Sequence, residues 1–186
     1  MKRLAGVLSV CVGVFGCGIP SFYGGPPGGT TGGTASFTIS GASGANNVET
    51  SPIFSSVSGS YNAANSKTTL VAINSTGNCP QVQIYMNGKA DNGKVYSLSS
   101  AAIIGTDPGT ATLNYAEGCA IGGIQKIWVP SSGNLTVDSA ADSNFTVSFS
   151  DVPMAPNGSG TSSGTNGTTG TFNVTGSVKI DKLSSL

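Results

Sequence analysis

Ser162 is the residue whose surroundings come closest to a catalytic motif. It lies in segment 160–164, Gly-Thr-Ser-Ser-Gly, which matches the G-x-S-x-G nucleophile pattern letter for letter. In that pattern a strained strand-to-helix turn presents the serine to a histidine base. The chain contains no histidine, and the match lies in a stretch rich in Gly, Ser and Thr. We therefore interpret the match as chance and predict no catalytic serine.

Carboxylates are the other residues that could do chemistry, because a pair of them can hydrolyse a glycosidic bond without histidine. Asp138 and Asp142 are close in sequence but have the spacing of turn residues between strands, and Asp91 and Asp107 lie in turn signals too. No D-x-[DN]-x-[DN]-G calcium loop is present in the sequence. We expect no enzyme, no metal and no cofactor; a carboxylate-dependent glycoside hydrolase is the alternative.

The N-terminus carries a secretory signal. A basic start at residues 1–3 precedes the apolar run 4–16, which suits a signal peptide but falls short of the ~20 residues that span a bilayer. The run ends in Val14-Phe15-Gly16-Cys17. This segment resembles the lipobox of bacterial lipoproteins, which implies cleavage after residue 16 and a membrane anchor through lipid on Cys17. An ordinary secretory signal with an incidental Cys17 is the alternative.

The residue at position 18 helps to predict which of the two membranes holds the anchored protein. In the lipoproteins of Gram-negative envelopes, Asp after the lipidated cysteine favours retention in the inner membrane. Gly18 takes that place in this chain, so the resemblance implies the outer membrane, with the domain facing either side. Stable anchoring needs more than one acyl chain, and the lipobox implies two or three on the cysteine.

Two cysteines remain after those of the leader and the anchor are set aside, namely Cys79 and Cys119. An even pair in an exported protein predicts a disulfide, which here would close a loop of about forty residues. The competing interpretation is a metal site. Two thiols without histidine or a C-x-x-C motif make a poor zinc ligand set, so we favour the disulfide.

Charge excludes one class of partner. Once Lys2 and Arg3 leave with the signal, six lysines face eight acidic residues, and neither arginine nor histidine remains. A protein that binds the nucleic-acid backbone needs a basic footprint to displace condensed counterions. We therefore expect no nucleic-acid partner.

The rest of the chain divides by composition. Residues 17–35 form a Gly- and Pro-rich stretch that we predict to be a flexible tether after the lipidated cysteine, and 36–186 form the folded domain. Within that domain, Gly-, Ser- and Thr-rich residues 153–170 predict a disordered loop.

Short runs of alternating apolar and polar residues, separated by turn signals such as Asn87-Gly88, predict strands throughout the domain. The expected strands are 36–40, 52–57, 68–74, 81–86, 95–100, 110–115, 124–129, 134–138, 144–150 and 171–178. No convincing helical period follows the leader. About ten short strands at this spacing predict an all-β domain, an antiparallel β-sandwich or a barrel-like fold.

Three residues are candidates for ligand recognition. If Ile127 points inward, Lys126 and Trp128 point outward together, and Tyr85 falls on the polar face of its own strand. Exposed aromatic rings on a sheet can stack on sugars or anchor a protein partner. The alternative places Trp128 in the core.

The sequence thus favours a membrane-anchored envelope lipoprotein that acts as a non-enzymatic binding module for a partner protein or an envelope polysaccharide. A purely structural envelope role is the other alternative, beside the hydrolase.

Overall fold

The computed structural model describes residues 32–45, 48–74, 80–100, 107–118, 126–141, 143–157 and 168–185. This part of the chain contains strands and turns and no helix. The eleven strands are β1 (Gly33–Ser43), β2 (Ser56–Asn62), β3 (Lys67–Ile73), β4 (Gln81–Asn87), β5 (Val95–Leu98), β6 (Thr110–Glu117), β7 (Lys126–Pro130), β8 (Asn134–Ala141), β9 (Asn144–Pro156), β10 (Thr171–Ile180) and the two-residue β11 (Ser184–Ser185).

All eleven strands belong to one mixed sheet in the order β1-β10-β9-β8-β5-β6-β4-β3-β2-β11. Strand β7 lies off this path and pairs with both β6 and β9. Most pairs are antiparallel, but β5 runs parallel to β6 and β11 runs parallel to β2. The all-β prediction is confirmed, whereas a purely antiparallel sheet was wrong. Parallel strands cannot be joined by a short hairpin, so no hairpin signal could reveal these two pairings.

The two ends of this strand order lie close together. The backbone N–H of Gly32, just before β1, donates to the carbonyl of Val57 in β2 at 3.2 Å. A side chain at Gly59 in β2 would meet Leu183 at 3.0 Å and Ile180 at 3.1 Å. Glycine at this position therefore lets β2 approach the end of β10 and the segment that follows it.

The core follows from the alternation along each strand. In β4, for example, Val82, Ile84 and Met86 are buried against the core, and their partners on β3 and β6 include Leu70 and Leu113. Inward-facing residues of β8, β9 and β10 complete one continuous apolar cluster. Because the side-chain period of a strand is two, this register commits every other residue to the opposite face.

Several predicted boundaries shift. The second strand was expected at 52–57 but runs over 56–62, since its Ser-Gly-Ser centre shows no apolar alternation. Strand β1 begins at residue 33, inside the predicted tether. Strand β9 continues to residue 156, so 153–156 are strand rather than loop, because this stretch pairs with β7.

The remaining predictions fall on other parts of the chain. The signal peptide 1–16, the lipidation site Cys17 and the tether up to residue 31 lie outside the described residues. Cys79, Cys119 and residues 158–167 of the predicted loop do as well.

Candidate functional site

A cleft of about 320 Å³ opens at one end of the sheet, which we call the cleft end. It is lined by Tyr61, Thr68, Lys89, Ala90, Ala140, Phe145, Lys182, Leu183 and Ser184. These residues come from the end of β2, the start of β3, the loop after β4, the β8–β9 turn region and the C-terminal segment. The volume falls in the range of about 300–1,000 Å³ that is usual for small-molecule sites.

The loop that carries Lys89 is held firmly. The backbone carbonyl of Lys89 accepts hydrogen bonds from the Tyr96 hydroxyl at 3.2 Å and from the Lys94 ammonium at 3.3 Å. Gly88 and Gly93, both with positive φ, allow the turns at either end of the loop. The backbone N–H of Gly88 donates to the carbonyl of Ser66, and that of Gly93 donates to the carbonyl of Val137. Lys89 therefore stands on a positioned backbone while its own side chain is exposed.

The C-terminal segment forms the facing part of the cleft. Its backbone is fixed where Asp181 N–H donates to the carbonyl of Gly32 at 3.0 Å and where Ser184 pairs with Ser60 of β2. The Ser184 hydroxyl also donates to the carbonyl of Gly59 at 3.1 Å. This segment brings Lys182, an exposed residue, to the cleft.

The lining combines an apolar floor with polar walls. Phe145 and Ala90 are buried, and half-buried Tyr61 adds an aromatic ring. The hydroxyls of Thr68 and Ser184 donate to backbone carbonyls, so each oxygen keeps acceptor capacity for a ligand hydroxyl. Among the described lining residues there are two lysines and no carboxylate.

The opposite end of the sheet, the aromatic end, holds Trp128. This residue was a predicted recognition site, but its side chain is fully buried. Its ring centroid lies 6.2 Å from that of Tyr115 and 5.5 Å from that of Phe172, and the indole N–H donates to the carbonyl of Thr169. The alternative that placed Trp128 in the core is the one that the structure supports, so an exposed recognition role for it was wrong.

The other two predicted recognition residues, Lys126 and Tyr85, do not share a site. Lys126 is half-buried and lies at the aromatic end, paired in register with Glu117. Tyr85 lies on the face of β4 that points away from the core, where its hydroxyl donates to Gln83 at 2.7 Å. The Lys67 ammonium stands 4.9 Å from the Tyr85 ring centroid. Burial raises the pKa of Tyr85. Neither residue lines the cleft.

The aspartates considered for catalysis do not form a described pair. Asp138 lies inside β8 rather than in a turn, at the register shift between Val137 and Ser139, and accepts a hydrogen bond from Ser148 at 3.0 Å. Its proposed partner Asp142 lies outside the described residues. Asp107 lies in a turn, as expected.

Glu117 is a titratable residue that the sequence analysis missed. It lies at the end of the inward-facing row of β6, after Leu113 and Tyr115, and is 8% exposed. The Tyr115 hydroxyl donates to its carboxylate at 2.5 Å, and the backbone N–H of Glu49 lies 3.5 Å from the same oxygen. Burial raises the pKa of Glu117 against the lowering effect of these hydrogen bonds. The same alternation that identified the core could have revealed it.

Within the described ranges, no three His, Cys, Asp or Glu side chains are grouped closely enough to hold a metal ion. The same residues contain no helix of the length and hydropathy needed to cross a membrane. Comparison of the chain with known protein families, with curated proteins and with solved structures finds no match.

Proposed function

We propose that this protein is a lipid-anchored envelope protein whose domain binds polysaccharide, without catalysis, at the cleft end of the sheet. The observation that carries the proposal is the cleft itself, in which an aromatic ring, an apolar floor and hydroxyl acceptors converge. Sugars present an apolar ring face and a rim of hydroxyls, so this combination of groups suits them.

The surface argues for a saccharide over a protein partner. A stable protein interface buries about 800 Å² on each side, and its centre is apolar. Across the described residues, the large exposed hydrophobics are Ile53, in the segment before β2, and Val95, in β5. Two isolated apolar side chains do not form such a centre, whereas a cleft of this size accommodates a few sugar units.

The absence of catalysis is likewise part of the proposal. Glycoside hydrolysis needs two carboxyl groups on either side of the scissile bond. The described lining of the cleft contains none, and the buried Glu117 belongs to the opposite end. A ligand in the cleft would therefore be bound and released unchanged.

Two further features belong to the same proposal. We infer that Cys17 is lipidated, on the strength of its lipobox. We also infer a bond between Cys79 and Cys119. Register supports it, because β4 starts two residues after the first cysteine, β6 ends two residues before the second, and Gln81 pairs with Ala116 at these strand ends.

We propose, in addition, that the sheet closes on itself in a barrel-like form. The hydrogen bond from Gly32 to Val57 and the close approach of Gly59 to Leu183 support closure. Full closure removes exposed strand edges, which otherwise invite aggregation. In this arrangement the cleft lies at the mouth of the barrel, where ligands commonly bind.

The proposal can be tested on the full-length protein extracted in detergent and applied to a glycan array. We expect binding to one class of envelope glycan, and loss of that binding in Tyr61→Ala. Tyr85→Ala, which removes a tyrosine outside the cleft, is the matched control and should bind normally. In parallel, Cys17→Ser should abolish palmitate incorporation.

The outcomes separate the alternatives. Binding lost in Tyr85→Ala but kept in Tyr61→Ala would move the site to the outer face of β4. No glycan binding in an anchored, folded protein would leave the purely structural role. Turnover of a bound glycan would overturn the non-enzymatic assignment, and continued palmitate uptake by Cys17→Ser would overturn the anchor.

A further inference from the structure

We propose that the cleft selects saccharides that carry an anionic group, a carboxylate or a phosphate, and that Lys89 contacts this group. The inference rests on the proposed function and specifies its ligand class. It starts from the charge of the lining, in which the described residues include Lys89 and Lys182 but no acidic side chain. A neutral saccharide gains no net Coulomb attraction from such a one-signed site, whereas an anionic ligand is attracted to it.

The position of Lys89 supports this role. The ammonium of Lys94 and the hydroxyl of Tyr96 both donate to its carbonyl, so the backbone beneath the side chain is fixed before a ligand arrives. A positioned backbone lowers the conformational entropy lost on binding. The Lys89 side chain is exposed, and it therefore retains its hydration until a ligand anion replaces the water.

Asp91 and Asp181 are the described carboxylates nearest in sequence to the two lysines. Asp91, in the same loop, is exposed, and its backbone carbonyl accepts a hydrogen bond from Lys94 N–H. The carboxylate of Asp181 lies beside Gly32, 3.3 Å from where a Cβ would be built on that glycine. Neither aspartate lines the cleft. The described lining of the cleft thus carries lysines and no carboxylate, although the chain as a whole is not basic.

The arrangement also suggests how a sugar would lie. The ring would rest on Tyr61 above the floor formed by Phe145, with its hydroxyls donating to Thr68 and Ser184. An acidic substituent at the rim would then reach the ammonium of Lys89. Lysine binds such groups as a compact point charge rather than through a planar fork, so carboxylate and phosphate are both acceptable.

The test compares three ligands on the full-length protein in detergent by calorimetry: a uronic-acid oligosaccharide, the same oligosaccharide with its carboxyl groups reduced to alcohols, and a phosphorylated oligosaccharide. We expect an anionic ligand to bind up to about fivefold more tightly than the reduced one, because an ion pair with an exposed lysine contributes up to about 1 kcal/mol. Higher ionic strength should narrow the difference.

Three variants locate the effect. Lys89→Gln should remove most of the preference for the anionic ligand. Lys89→Arg keeps the positive charge and should keep the preference, and Lys179→Gln should leave it unchanged. Lys179 is an exposed lysine of β10 that does not line the cleft, so it is the matched control for net charge. Unfolding curves that coincide for all variants would show that the fold is intact.

The result decides between anionic and neutral ligands independently of the broader proposal. Equal affinity for the charged and the reduced oligosaccharide would overturn the inference while leaving saccharide binding in place. Tight binding of polyglutamate comparable with that of the oligosaccharides would overturn it as well, since charge alone would then suffice. Failure of every saccharide to bind would instead remove the proposed function.

Discussion

The two ends of the sheet are built from the same strands but differ in how their space is filled. At the aromatic end, Tyr115, Trp128 and Phe172 contact one another and leave Glu117 buried beside them. At the cleft end, the strands finish around an open volume with lysines at its rim. Strand β6 spans both ends, a distance of roughly 23 Å for its eight residues.

This contrast indicates a division of work along the strands. The aromatic end contributes packing and so carries stability, whereas the cleft end leaves surface unfilled and can accept a ligand. Changes at sites this far apart with no shared partners usually add independently. Variants at one end should therefore affect stability without affecting binding, and variants at the other end should do the reverse.

Trp128→Ala should have the largest effect on stability. Truncation of a fully buried tryptophan between two aromatic rings leaves a cavity that costs about 3–5 kcal/mol. Denaturant unfolding monitored by circular dichroism measures this loss. Trp128→Phe keeps part of the ring contact and should lose less. A loss below about 1 kcal/mol in the alanine variant would contradict the core placement and break the contrast.

Reduction of the proposed disulfide should cause the second largest loss of stability. A bond from Cys79 to Cys119 would tie together the ends of β4 and β6 at the aromatic end, and closing about forty residues contributes roughly 4 kcal/mol in the chain-entropy estimate. Loss of a native disulfide from a small domain typically costs about 2–5 kcal/mol. Mass spectrometry of unreduced peptides should show the two cysteines joined. Two free thiols in protein isolated from the envelope would refute the bond.

Glu117→Gln should change the free energy of unfolding least. At neutral pH it should stabilise the protein, whereas the two changes above destabilise it. Burial raises the pKa of Glu117 above its ordinary value of 4.5, so the folded protein holds this proton more tightly than the unfolded chain does. The associated stability is fully present below pH 4.5 and is lost as the pH rises through the raised value. Glutamine is neutral and can still accept from Tyr115.

The variant should therefore melt a few degrees above the wild type at pH 7, and the two melting temperatures should converge below about pH 4. Glu49→Gln is the control, because Glu49 is exposed and its charge is a lesser cause of the raised pKa than burial. If Glu49→Gln removed the pH dependence as fully as Glu117→Gln, charge repulsion rather than burial would be its source.

Alternation and turn residues were enough to predict most of the strands. Strands β4 and β6 lie within about two residues of their expected positions, and the turn around Gly88 occurs where Asn87-Gly88 predicted it. Strand β2 was displaced because Ser58, Gly59 and Ser60 carry no apolar signal although all are enclosed by neighbours.

Trp128 shows why the site was harder to predict than the strands. Both faces of β7 are buried, with Trp128 in the main cluster and Ile127 and Val129 in a small separate one. A strand with two buried faces has no alternation of apolar and polar residues, so its sequence does not predict which side chains face the main core. The cleft was beyond prediction for another reason. It brings Lys89 and Lys182, which are far apart in sequence, into one lining, and the pairing of β11 with β2 helps to hold the C-terminal segment there.

The pairing of β1 with β10 has a consequence for the order of events during folding. Gly33 of β1 lies opposite Ile180 of β10, so β1 finds its partner only after residue 180 has been made. Contacts between residues this distant form slowly, because the intervening chain must be ordered first. A nascent chain would therefore carry β1 as an unpaired strand until β10 has been made, so the edge that β10 covers in the fold stays open to other strands during synthesis.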